Sequence, residues 1–169
     1  MPKRSKRFVF VPFCGLSQAF QAQGIAKNWK SSINPIVEKL LEKEINIIQL
    51  PCPEASFGGY KQGLCRVPKG LKHYNTEQFI THCDLLANGL IEMIEGILHN
   101  GYEISAILGV EHSPSCASSF IYTNKGMESR KGIFMDCLFN QLHAKQIDIP
   151  FIGINRRSLA KCMRNLDSL

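Results

Sequence analysis

The stretch EISAILGVEHSPSC, residues Glu103 to Cys116, opens on a run that is apolar at nearly every position and then turns abruptly polar. A strand with one wet face alternates apolar and polar residues, whereas a strand of a sheet covered on both faces reads as a near-continuous apolar run. Glu103 to Val110 is therefore expected to be a strand with helices on both sides. A second run of this kind, Ile45 to Leu50 in INIIQLPCPE, stops at Pro51-Cys52-Pro53, because proline cannot donate to a strand ladder. FVFVPF, Phe8 to Phe13, gives the first strand, and IDIPFIGI, residues 147–154, the fourth.

Helical patterns fall between these runs. Asn34-Pro35 supplies a cap and a first-turn proline for a helix with Ile36, Val37, Leu40 and Leu41 at helical spacing. Asn75, with Gln78 three residues on, resembles a capping box for a long helix that ends at Asn100-Gly101. Phe79, Cys83, Leu86, Leu90, Met93, Ile94 and Ile97 form its expected apolar side. Lys131 to Lys145 is a third helix, with Ile133, Phe134, Cys137, Leu138 and Leu142 inward, and Ser158 to Leu166 a closing one. Gly15 to Lys30, the glycine-rich Glu54 to Tyr74 and the stretch from Glu111 to Glu128 show no such period.

Alternating strands and helices predict an α/β fold: a small open parallel sheet of about four strands with helices on both faces, flavodoxin- or Rossmann-like. The 169 residues, 44% hydrophobic, suit one domain over residues 1–169. No G-x-G-x-x-G follows the first strand, so no dinucleotide is expected.

The formal charge of +6 sits at the ends, on Lys3, Arg4, Lys6 and Arg7 and on Arg156, Arg157, Lys161 and Arg164, leaving a near-neutral body. That placement reads as solvated ends rather than a nucleic-acid footprint. Phe8 to Leu16 is short, contains Pro12 and lacks a small-x-small site, so a strand is expected there rather than a signal peptide. No run approaches the ~18 apolar residues of a membrane span. The seven cysteines are scattered without a C-x-x-C pair, which fits a reduced cytoplasmic chain.

Cys14, Cys52 and Cys116 each follow a strand. Parallel strands point the same way, so these thiols can converge where such sheets place their ligands. If the first strand lies between the second and third, neighbouring strands are ~4.8 Å apart and the loops bridge the rest. Cys83 and Cys137 read as core residues; Cys65 and Cys162 have no strand-end placement. Three thiols can bind zinc, copper(I) or an iron–sulfur cluster, and three protein ligands with a vacant position mark a metal that acts on substrate. They can equally be small side chains tolerated at crowded strand ends.

PFCGLSQ, LPCPEASFGG and GVEHSPSCASS together resemble the thiouracil desulfidase (TudS) family, in which a cysteine after the first strand is followed by C-P-E and then S-P-S-C. The likeness is closest to the related desulfidase branch, through NGYEISAILGVEHSPSC and KGIFMDCLFNQLHAKQIDIPFIGI, and it covers roughly residues 8–154. Ala117 departs from the glycine that commonly follows S-P-S-C. The resemblance implies a [4Fe-4S] cluster on Cys14, Cys52 and Cys116, with an open iron that captures the sulfur of a thiocarbonyl. Water then replaces sulfur at carbon without net redox change.

The implied partners are a small thiolated compound, a thio-nucleobase among the candidates, and the iron–sulfur assembly machinery. Glu54 is a candidate base for the attacking water, or a cap of its own turn. Ser113 positions water or substrate, or only shapes the S-P-S turn. His112 is a fourth ligand in a zinc site or a turn residue; Glu111 lies beside it. Phe57 and Tyr60 stack on a flat base or cap the core. A sulfide or metal carrier and a zinc hydrolase on the same three cysteines are the competing readings.

Overall fold

In the computed structural model, which describes residues 4–26 and 28–169, β1 (Arg7–Pro12) lies between β2 (Asn46–Leu50) and β3 (Glu103–Val110). β6 (Phe151–Ile154) pairs on the far side of β3, and all three pairings are parallel. Lys3, part of the N-terminal basic run, lies outside the described residues. Pro12 sits opposite Leu50, so Cys14 and Cys52 each lie two residues beyond a paired strand end. The fold is the expected α/β arrangement.

Period-2 alternation along β1 divides the core. Phe10 faces one side, where α6 (Glu77–His99) and α7 (Ile133–Ala144) pack Phe79, Cys83, Ile94, Phe134 and Leu138 around it. Val9 and Val11 face the other, against Ile36 and Leu40 of α2 (Asn34–Glu42) and Cys162 and Leu166 of α8 (Ala160–Asp167). Phe10, Val9 and Val11 are fully buried, each such side chain contributing roughly 1.5–3 kcal/mol.

Several boundaries differ from the sequence expectation. Thr76, not Asn75, caps α6: its Oγ1 accepts from the Phe79 amide at 3.3 Å, while Asn75 ends the preceding turn. Met93 turns outward, 46% exposed. The stretch over Glu54 to Tyr74, which shows no period in the sequence, holds three single turns, α3 (Pro53–Ser56), α4 (Tyr60–Gly63) and α5 (Leu71–Tyr74). The stretch after β3 contains an antiparallel hairpin, β4 (Phe120–Thr123) and β5 (Gly126–Ser129). The fourth parallel strand starts only after Pro150. Among the described residues, no helix is long and apolar enough to cross a membrane.

Candidate functional site

At the C-terminal edge of the sheet, Cys14, Cys52 and Cys116 line one cavity of about 170 Å³. Cys14 lies in α1 (Phe13–Leu16), the turn that ends β1. Cys52 precedes α3, whose Pro53 occupies the first helical position; the amides of Ala55 and Glu54 point back at its sulfur. Arg66 Nη2 approaches that sulfur at 3.6 Å.

Cys116 reaches the same edge because its loop doubles back, its carbonyl accepting from the Val110 amide at 2.8 Å. The N-terminal amides of α7 hold this loop: Ile133 donates to the Pro114 carbonyl at 3.0 Å and Phe134 to the Ser115 carbonyl at 2.9 Å. Gly132 is required here, since a Cβ would stand 2.5 to 2.7 Å from the Ser115 carbonyl group and the Cys116 nitrogen. Ser113 Oγ accepts from the Cys116 amide at 3.0 Å and the Ser115 amide at 3.3 Å. The turn-shaping role read from the sequence is therefore present.

Glu54 ties the loops together. Its Oε1 accepts from Ser115 Oγ at 2.6 Å and Ser113 Oγ at 3.4 Å, and its Oε2 from Arg66 Nε and Tyr74 Oη, both at 3.3 Å. The Glu54 and Arg66 side chains are only 12% and 14% exposed. Arg66 is further fixed by the carbonyls of Gly63 and Phe20, each at 2.8 Å.

The thiols are held protonated. Burial pushes Cys14 up to about 12, helped by the Cys52 charge and opposed by Arg156. Burial also raises Cys52, against the pull of Arg66, and raises Cys116 well above the ordinary thiol range, with the Cys52 and Glu54 charges adding to it. Burial and the Glu54 charge push the Tyr74 hydroxyl up. Among the described residues, no three His, Cys, Asp or Glu side chains form a group that could hold a metal ion.

The remaining sequence candidates separate clearly. Glu54 and Ser113 line the cavity with the three thiols. Cys83 and Cys162 are buried in the two halves of the core, Cys137 packs at its edge and Cys65 is exposed. Glu111 borders the cavity but its Oε2 is taken by the Ser119 and Phe120 amides, at 3.3 and 2.8 Å. His112 adopts a left-handed turn conformation, φ 70°, and stacks on Tyr122 with ring centroids 4.6 Å apart. Phe57 packs edge-on against Phe79 at 5.1 Å, and Tyr60 lies at the surface near Phe20. Sequence reasoning missed Arg66, Tyr74 and Ser115, and read Arg156 as part of a solvated end. Arg156 instead lines the cavity.

Fold and site together define an α/β protein whose parallel sheet carries a thiol-lined cavity at its C-terminal edge. No family model matches the chain. An uncharacterized protein of Methanocaldococcus jannaschii is 26% identical over 168 residues, 98% of each chain. The solved structure of a [4Fe-4S]-dependent thiouracil desulfidase, TudS, superposes with a TM-score of 0.53 at 20% identity, covering 98% of this chain and 99% of that one. The two share a fold.

Proposed function

We propose that the protein is an iron–sulfur desulfidase that removes sulfur, as sulfide, from a small thiocarbonyl compound, with a thiolated nucleobase as the leading substrate class. In this reading Cys14, Cys52 and Cys116 hold a [4Fe-4S] cluster delivered by the iron–sulfur assembly machinery. The observation that carries it is that three cysteines, each just beyond a different strand, line a single cavity. The donor set fits the cluster. Thiolates are soft ligands suited to iron–sulfur groups, and three of them leave one iron of a cubane without a protein ligand. All seven cysteines are free, which suits a reducing cytoplasm.

A mononuclear zinc site is the weaker alternative. Zinc would draw every sulfur to about 2.3 Å from one atom. A cubane distributes its ligands over several irons. The fold shared with a [4Fe-4S]-dependent thiouracil desulfidase supports the same choice.

When bound, the cluster supplies an iron free of protein thiolate, a soft Lewis acid for the leaving sulfur. The chain supplies the rest. Glu54 is the proposed base: water enters by displacing the 3.4 Å contact from Ser113, the longest of the four the carboxylate accepts. Ser115 and Arg66 keep the carboxylate in place during the transfer. Ala22, Ile25 and Val110 supply apolar wall around the polar groups. The balance is thiocarbonyl plus water giving carbonyl plus hydrogen sulfide, with no electrons entering or leaving.

Sulfide release from a panel of thiolated bases by anaerobically reconstituted protein tests the activity. Glu54→Gln is expected to retain its iron and to release sulfide ~10²–10⁴-fold more slowly, the usual contribution of a general base. Fully loaded wild-type protein that releases none from any base would leave the sulfide-carrier reading instead.

A further inference from the structure

Arg156 follows β6, and its side chain borders both the thiol cavity and a neighbouring cavity of about 530 Å³ lined also by Asn28, Trp29 and Arg157. Among the described residues its guanidinium forms no ion pair, and its recorded hydrogen bond is through the main-chain oxygen, which accepts from Asn28 Nδ2 at 3.5 Å. Arg66, which lines the same cavity, differs: Glu54 and two carbonyls take up its nitrogens. Burial pushes the Arg156 pKa down, against the pull of the Glu54 carboxylate. A partly desolvated cation without a partner is costly unless an anion completes it.

We propose that Arg156 is the charge-compensating residue of the site, its guanidinium stabilising the negative charge that arrives when hydrosulfide occupies the open iron position. The inference rests on the desulfidase reading and deepens it by assigning a residue to the product side. Three thiolates already outweigh the positive charge of a cubane core, and hydrosulfide, donating a lone pair to iron without any change of oxidation state, adds a further negative charge. Of the two arginines at the cavity, only Arg156 has its fork unspent.

The test compares wild type, Arg156→Gln, Arg156→Lys and, as a surface control of equal charge loss, Arg164→Gln, all reconstituted anaerobically and assayed for iron. Sodium hydrosulfide is titrated in, followed by absorption, and the cluster midpoint potential is measured. Arg156→Gln is expected to keep its iron, to bind hydrosulfide about 10–100-fold more weakly, as loss of a charge-assisted hydrogen bond dictates, and to have a lower potential. Arg156→Lys should recover most of both, and Arg164→Gln should match wild type. Wild-type affinity and potential in Arg156→Gln would overturn the assignment. So would loss of iron from both Arg156 variants, which would make the residue structural. Wild-type protein that takes up no cluster at all would instead bring down the desulfidase reading and this inference with it.

Discussion

Ser115 Oγ donates to Glu54 Oε1 at 2.6 Å across 61 residues of chain, joining the C-P-E turn after β2 to the S-P-S-C loop after β3. Each loop carries a cysteine of the cavity, so this hydrogen bond, with the longer one from Ser113 at 3.4 Å, ties the two cysteine-bearing loops together. Removing it with Ser115→Ala leaves a nearly buried carboxylate short of its best donor. The expected cost is about 1–3 kcal/mol, read from urea unfolding of the cluster-free protein. An unchanged midpoint would show that the two loops are held independently.

The cysteines divide into those at the cavity and those in the core. Cys14→Ser, Cys52→Ser and Cys116→Ser are each expected to abolish cluster loading. Cys83→Ser and Cys137→Ser should both load normally; the fully buried Cys83 position is expected to lose about 1–3 kcal/mol, and the half-buried Cys137 position less, because Asp84 lies within hydrogen-bond reach of its side chain. Iron analysis beside unfolding curves separates the groups. Equal iron loss across all five would contradict the assignment of the cavity.

Loading should also depend on pH. Cys14 is held protonated up to about 12, and burial raises Cys52 and Cys116 above their ordinary value near 9 as well, so each thiol must shed a proton to bind metal. Reconstitution yield is expected to rise between pH 6 and 9, and a flat profile would show that proton release does not limit binding. The sign for stability is opposite. The folded, cluster-free state keeps protons that the unfolded chain loses near pH 9, so stability is full below that value and falls as pH climbs toward 12. Cluster-free protein whose melting temperature does not fall between pH 9 and 11 would contradict the raised thiols.

What the sequence makes legible here is what local pattern encodes. Apolar runs ended by Pro51-Cys52-Pro53 and by the S-P-S turn mark strand ends, and strand ends in a parallel sheet share an edge, so Cys14, Cys52 and Cys116 were readable together. Arg66 was not, because it lies among single turns with no period and is oriented by Glu54 and by carbonyls as distant as Phe20. Arg156 was hidden for a related reason: a basic residue near a chain end looks solvated until β6 brings it beside β3. The capping error at Asn75 is one of neighbours, since Asn75 and Thr76 are both good caps and only the path out of α5 selects the second.

The central claim is that the three-thiol cavity holds one cubane cluster, and metal analysis of protein purified under strict exclusion of oxygen tests it most directly. The account predicts brown protein with about four irons and four acid-labile sulfides per chain. Colourless protein carrying a single tightly bound zinc, or no iron after anaerobic reconstitution, would contradict it.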